Sequence, residues 1–173
     1  MEPAPIPAPI IVTAQMGKAD QAWANKLRTA HFPPERNFLD AHITLFHHLP
    51  PSMLPEVKAR LAAVCSETPP PASQLTDIMN LGRGTAFRLN SLALLAIRDA
   101  LAQQFAGVLT PQDQARPRLH ITVQNKVDPA AARALQQQLS QQFEPRAFSV
   151  TGLSAYYYRG GPWEPIQSWV FRG

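Results

Sequence analysis

His42-Ile43-Thr44-Leu45 and His120-Ile121-Thr122-Val123 are two copies of one pattern, set 78 positions apart in a chain of 173 residues. Five histidines and nine threonines scattered at random would supply about a quarter of one His-x-Thr triplet. Two, each with Ile between and an aliphatic residue after, are a strong signal. Both segments alternate polar and apolar residues, so both read as strands, over 40–48 and 118–125. Side chains two apart on a strand share a face and lie roughly 7 Å apart. His42 and Thr44 therefore point one way, and Ala41, Ile43 and Leu45 the other. Leu119, Ile121 and Val123 are likewise opposed to His120 and Thr122. Each strand buries an apolar face and presents a histidine with a threonine.

The flanking sequence repeats as well. Residues 9–14 read as a short buried strand and 18–31 as a helix with Ala22, Trp23, Leu27 and Ala30 on one face; Pro33-Pro34 stops it. A helix over 52–66 follows the first motif, with Ser52 as N-cap. Strands over 74–81 and 84–90 join through Gly82-Arg83-Gly84, and a helix over 91–106 is capped by Ser91 and ended by Gly107. After the second motif, Asp128-Pro129 opens a helix over 129–143. Strand-like runs at 146–158 and 163–171 flank the turn Arg159-Gly160-Gly161-Pro162. The strands near 9 and 84, the helices near 18 and 92, the two histidines, and the helices near 52 and 129 recur in one order at nearly one period. That predicts an α+β fold of two duplicated βαβαβ-like units, forming lobes over about 9–81 and 84–158, with 163–171 as a C-terminal strand. Facing lobes would put both histidines in one cleft.

Composition narrows the class. Apolar residues make up 45% and charged residues 16%, which excludes intrinsic disorder. Cys65 is the only cysteine, so an internal disulfide framework and a multi-thiolate zinc site are excluded. The N-terminal MEPAPIPAPIIVTAQ lacks the basic start and apolar run of a secretory signal, and no stretch approaches the ~20 apolar residues of a membrane span. A cytoplasmic protein, without membrane partners and monomeric, is expected. The net charge of +4 favours an anionic partner, without a basic run that would mark a nucleic-acid tail. Eighteen prolines, clustered at 3–9, 33–34, 50–55, 69–71 and 162–165, punctuate the elements.

Two imidazoles with an ordinary pKa of about 6.5 can be neutral and protonated side by side near neutral pH. One can take a proton from an attacking water or hydroxyl while the other protonates a leaving oxygen. Two threonine hydroxyls suit the non-bridging oxygens of a phosphate. The natural target is a phosphodiester displaced in line, without a metal. The paired motifs, together with HFPPERNFLDAHITLFHHLP at 31–50, LGRG at 81–84, RLHITVQNKV at 118–127 and YRGGPWE at 158–164, resemble the 2H phosphoesterase superfamily, in its 2′-5′ RNA ligase-like and cyclic phosphodiesterase group. The resemblance spans about residues 9–171. It implies a bilobal fold with antiparallel-rich sheets around a central cleft, His42 and His120 as acid and base, Thr44 and Thr122 as phosphate ligands, and no cofactor or metal. Its members act on 2′,3′-cyclic phosphates, related cyclic phosphates and 2′-5′ linkages, so an RNA or nucleotide cyclic phosphate is the expected substrate. The alternative is an RNA- or nucleotide-binding module that keeps the cleft with negligible turnover.

Further residues are candidates by parity. Phe46 continues the face of His42 and Thr44, where it would stack on a base. Arg118, Gln124 and Lys126 share parity with His120. Tyr158 and Trp163, beside the Gly-Gly turn, are the better candidates among Tyr156, Tyr157, Tyr158 and Trp163 for stacking on a nucleobase. Arg83 and Arg88 belong to a tight turn and its flank. His48 shares parity with His42 but lies about 20 Å along the strand, and His47 faces the other side; both read as strand-end surface residues, not metal ligands. His31 closes a helix, and Cys65 belongs to the core.

Overall fold

The computed structural model describes residues 7–173; positions 3–6 of the first proline cluster, and the start of the N-terminal reading, lie outside the described residues. Their order is β1 (Ile10–Met16), α1 (Lys18–His31), β2 (Ile43–Leu49), α2 (Leu54–Glu67), β3 (Ser73–Asn80), β4 (Thr85–Asn90), α3 (Leu92–Gln104), α4 (Pro111–Gln114), β5 (His120–Gln124), α5 (Pro129–Ser140), β6 (Arg146–Phe148), β7 (Val150–Tyr157) and β8 (Glu164–Val170). They form two four-stranded sheets, ordered β2-β1-β7-β8 and β5-β4-β3-β6, with every pairing antiparallel. The fold is the expected α+β arrangement. The lobes, however, are not the sequence repeats. β3, which ends the first repeat, pairs with β4 in the second sheet, and β7, which ends the second, pairs with β1 in the first. Each repeat thus hands its third strand to the other lobe.

Local sequence explains most boundaries. α1 starts after Gly17 and ends at His31, before Pro33-Pro34. Ser91 accepts the N–H of Leu94 at 3.1 Å and donates to the Ala72 carbonyl at 2.7 Å, capping α3 and tying it to the start of β3. Gly107, at φ +91°, ends that region where a side chain would be strained. Two expected caps are absent. A tight 3-10 turn over Pro51–Met53 precedes α2, so Met53, not Ser52, occupies the cap position. Asp128 precedes α5 without a capping side-chain bond, although Pro129 does open it. The buried stripe of α1 also differs: Ala24 and Arg28 are buried, while Ala22 and Ala30 are exposed. A buried arginine takes the place that periodicity gave to alanine.

Packing crosses between the lobes too. Trp23 of α1 sets its ring 4.9 Å from Phe87 of β4 and 6.5 Å from Phe148 of β6, both in the second sheet. Phe105, after α3, meets Phe46 of β2 edge to face at 5.9 Å in the first sheet. α1 and the end of α3 thus reach across to the opposite sheet, while α2 packs on β7 and β8 and α5 on β3 and β4. This brings β2 and β5, the edge strands that carry the two motifs, side by side.

Both motif strands bulge at the same motif position. Thr13 pairs with Thr44 but Val12 with Phe46, leaving Leu45 as an extra residue. Ala86 pairs with Thr122 but Thr85 with Gln124, leaving Val123 as the extra residue. A bulge reverses which face the following side chains occupy. Phe46 is fully buried and Gln124 nearly so, its amide oxygen accepting the Thr85 hydroxyl at 2.9 Å. The pairing at the β5 bulge leaves Gly84 pressed against it: a Cβ there would stand 2.2 Å from the Gln124 carbonyl oxygen. Gly84→Ala is accordingly expected to push the end of β5 off β4, lowering the melting temperature by about 5 °C or more in a calorimetric scan. An unchanged melting temperature would refute the close approach.

Candidate active site

His42, Thr44, His120 and Thr122 line one cavity of about 530 Å³. The alternation at each motif is the predicted one: Ala41, Ile43, Leu45, Leu119, Ile121 and Val123 are buried, and the histidines and threonines are partly exposed between them. The two imidazoles are held alike. Nδ1 of His42 lies 2.8 Å from the Asp40 carbonyl oxygen, and Nδ1 of His120 lies 2.6 Å from that of Arg118. A carbonyl only accepts, so each Nδ1 carries a proton and each Nε2 is left for chemistry. Among the described residues, neither the Thr44 nor the Thr122 hydroxyl has a hydrogen-bond partner, so both are available to a ligand.

Two buried arginines hold the motif strands in place. Arg28 of α1 is 4% exposed; its Nη1 donates to the Thr122 carbonyl at 3.1 Å, its Nε to Asn37, and its guanidinium lies 4.0 Å over the Phe32 ring. Arg98 of α3 is 2% exposed; its Nε donates to the Leu45 carbonyl at 3.1 Å, its Nη2 to the Asp113 carbonyl, and its guanidinium lies 4.3 Å over Phe46. Each comes from the helix of one repeat and grips the bulged motif of the other. The bulge withdraws carbonyls from the ladder, and buried carbonyls need donors. Burial lowers both guanidinium pKa values, but a guanidinium stays charged in proteins.

Electrostatics separate the histidines. Burial pushes His42 down to about 4; the bond to the Asp40 carbonyl opposes this, while Arg28, His120 and His47 add to it as neighbouring cations. His42 is therefore neutral across the physiological range. Trp163 covers it, with ring centres 4.5 Å apart, and Tyr156 stands 5.6 Å from Trp163. Both aromatics, with exposed Phe38, line an adjoining cavity of about 410 Å³ that also reaches His42.

The remaining candidates divide. Arg118 and Trp163 line the motif cavity. Phe46 does not: the bulge turns it into the core against Phe105 and Arg98. Lys126 is exposed past the end of β5 with φ +60°, outside the cavity wall, because the second bulge and the chain turn cancel its parity with His120. Tyr158 is 46% exposed and lines neither cavity; it lies past the end of β7, and Tyr156, inside that strand, is on the wall of the adjoining cavity. Gln124 is in the β4–β5 interface. His47, by the same reversal that buries Phe46, lies on the cavity, while His48 does not. Arg28, Arg98, Asp113 and Phe38 were missed. Buried arginines carry no periodic signal, and Asp113 sits on a four-residue helix in what reads as loop. Among the described residues no group of three or more His, Cys, Asp or Glu side chains is arranged to hold a metal ion. No helix among them is long and apolar enough to cross a membrane.

The profile of the 2′-5′ RNA ligase superfamily matches residues 17–162. The chain belongs to that superfamily. Membership bears out the resemblance to 2H phosphoesterases and indicates a phosphoesterase/ligase-type enzyme. Solved structures agree in fold. The E. coli LigT complex with 3′-AMP superposes with a TM-score of 0.67 at 17% identity, covering 97% of this chain and 100% of that one. TT0787 of Thermus thermophilus gives 0.65 at 15% identity, covering 95% and 98%. A protein described as a phosphoesterase gives 0.61 at 20% identity, covering 97% and 100%. No curated protein matches significantly.

Replacing Arg28 or Arg98 by Met leaves buried carbonyls without donors, a loss on the order of 2–3 kcal/mol in denaturant unfolding. Arg28→Met also removes a positive charge beside His42, so its imidazole is expected to titrate above about 4 in an NMR pH series. Linkage gives a second expectation. Unfolded histidine titrates near 6.5, so below that pH the unfolded chain holds a proton that folded His42 does not. The stability from neutral His42 is full above about pH 6.5 and lost as pH falls toward 4. His42→Gln should therefore lose less melting temperature between about pH 7 and 5 than the parent; an equal loss would refute the shift.

Proposed function

We propose that the protein is a metal-independent phosphodiesterase acting on 2′,3′-cyclic phosphate or 2′-5′ linked RNA and nucleotide substrates, by general acid–base catalysis from His42 and His120. The observation that carries this reading is the shared cavity: two imidazoles, each with Nδ1–H committed to a carbonyl and Nε2 free, beside two unpartnered threonine hydroxyls. The occurrence of 3′-AMP in the related LigT structure fits a nucleoside phosphate in such a space.

In the hydrolytic direction, neutral His42 takes a proton at Nε2 from water as its oxygen bonds to phosphorus. The P–O bond to one ribose oxygen breaks, and the protonated His120 delivers its Nε2 proton to that oxygen. The carbonyl of Arg118, bonded to Nδ1–H, supports the imidazolium of His120. Thr44 and Thr122 donate to the non-bridging oxygens as charge accumulates there. The Trp163–Tyr156–Phe38 wall suits a nucleobase. Ligation at a 2′-5′ linkage is the same displacement reversed, with acid and base exchanged.

Assays with EDTA present should show turnover of 2′,3′-cyclic nucleotides or 2′-5′ dinucleotides. His42→Ala or His120→Ala should each lower kcat/KM by roughly 10²–10⁴-fold or more without loss of fold, as expected for a positioned acid or base. A folded protein that binds nucleotides with no turnover to lose would establish the binding module instead. The pH profile tests the roles. With His42 as base, the acid limb of kcat/KM falls near pH 4; with His42 as acid, activity would already decline above it.

A further inference from the structure

The cavity around the two motifs extends past the catalytic pairs, and that part of its wall is basic. His47 lies on it with 43% of its side chain exposed, over Asp113, whose side chain is 1% exposed. Asp113 Oδ1 accepts the His47 N–H at 2.8 Å, and Oδ2 accepts the N–H of His48 at 2.8 Å and of His47 at 3.0 Å. Oδ1 also lies 3.2 Å from Nδ1 of His47. Burial alone would raise this carboxyl, but the bonds from His47 and His48 outweigh it and hold the pKa below the ordinary value. The group is thus an anion whose oxygens are occupied by the protein. It fixes His47 with Nδ1–H on the carboxylate and Nε2 directed away from it.

Two arginines complete the wall. Arg116 is tied to Asp99 at 2.9 Å on the rim. Arg118 is exposed, and its guanidinium has no hydrogen bond or ion pair with any described residue. Asp113 is the only carboxylate among the described residues lining this cavity, and it faces the backbone of β2. A carboxylate-backed imidazole and an uncommitted guanidinium on one concave surface are donors for an anion. The Thr44 and Thr122 hydroxyls already account for the phosphate under attack.

We propose that His47 and Arg118 form a second anion subsite, which takes a further phosphate group of the substrate one nucleotide step from the phosphate held between His42 and His120. The proposal rests on the phosphodiesterase reading for the identity of its ligand, and narrows the substrate class. A nucleoside 2′,3′-cyclic phosphate has no such group. The 3′-terminal nucleotide of an RNA does, on its O5′, as the diester to the preceding nucleotide, and a 5′-phosphorylated mononucleotide carries it as a monoester. Substrates carrying that phosphate are therefore preferred to the bare cyclic nucleoside.

Calorimetric titration separates this subsite from the catalytic reading, because it needs no turnover. Adenosine 3′-monophosphate, adenosine 3′,5′-bisphosphate and a dinucleotide ending in a 3′-phosphate are compared on the wild type, on Arg133→Ala, and on the double variant His47→Gln, Arg118→Ala, with fold checked by circular dichroism. At least one ligand with the second phosphate should bind tenfold or more tightly than the monophosphate. Which one does so distinguishes the monoester from the diester. The difference should persist in Arg133→Ala, which removes a cation on α5, and shrink to threefold or less in the double variant. Equal affinities in the wild type, or a difference that survives the double substitution, would overturn the subsite. A parallel turnover assay with adenosine 2′,3′-cyclic phosphate, a dinucleotide ending in a 2′,3′-cyclic phosphate and a 2′-5′ dinucleotide separates the two readings. No turnover with the affinity difference intact removes the hydrolase and leaves the subsite; turnover without the difference does the reverse.

Discussion

Two guanidinium groups, Arg28 and Arg98, determine where the two motif strands sit relative to each other. β2 and β5 are edge strands of separate sheets, so no ladder of hydrogen bonds connects them. Their mutual position comes instead from α1 and α3, each of which reaches across to the other repeat and donates to a carbonyl inside its motif, Thr122 and Leu45. Both arginines are almost completely buried and stacked on phenylalanine. A planar, forked donor suits this task, because it can satisfy a carbonyl and hold a second acceptor at a fixed angle. Arg28 binds Asn37 with its Nε, and Arg98 binds the Asp113 carbonyl with its Nη2. Arg28 thereby fixes the loop after α1, and Arg98 fixes α4, as well as a strand each.

The bulges explain why that arrangement is needed. An extra residue after each threonine turns the next side chain inward, so that Phe46 anchors β2 in the core and Gln124 anchors β5 on Thr85. The motif residues stay facing the cavity, while Phe46 and Gln124 just beyond them are committed to packing. The exchange of third strands between the lobes adds to this coupling. β3 and β7 carry each repeat into the sheet of the other, so separating the lobes would disrupt both sheets. The duplication is therefore visible in the order of elements but not in the boundaries of the lobes.

The motif alternation, α1 and α3 were legible because they depend on local periodicity and punctuation, and these act through neighbouring residues in the sequence. Ala41 to Leu45 and Leu119 to Val123 alternate as strand geometry requires. Phe46, Lys126 and His47 were misplaced for one shared reason: parity was carried through a bulge that no residue type announces. Neither Leu45 nor Val123 is a glycine or otherwise marked for irregular backbone. Tyr156 and Tyr158 share parity, so alternation does not separate them; the end of β7 at Tyr157 does. The arginines and Asp113 depend on partners 9 to 94 positions away, and only the assembled fold brings those together.

A duplicated architecture supplies two equivalent histidines, yet the proposed acid–base reaction needs a proton donor and a proton acceptor that differ. The differences come from the surroundings, not from the motif. Both imidazoles are bonded through Nδ1 to a carbonyl two residues upstream, so that contact cannot distinguish them. His42 is set apart by burial, by Trp163 on its face and by the charge of Arg28. Trp163 comes from the Gly-Gly turn before β8, outside the two repeats, and Arg28 is the same group that positions Thr122. One buried cation thus holds one motif strand in register and disfavours protonation of the histidine of the other motif. Structural coupling between the lobes and chemical asymmetry between the histidines share a single side chain.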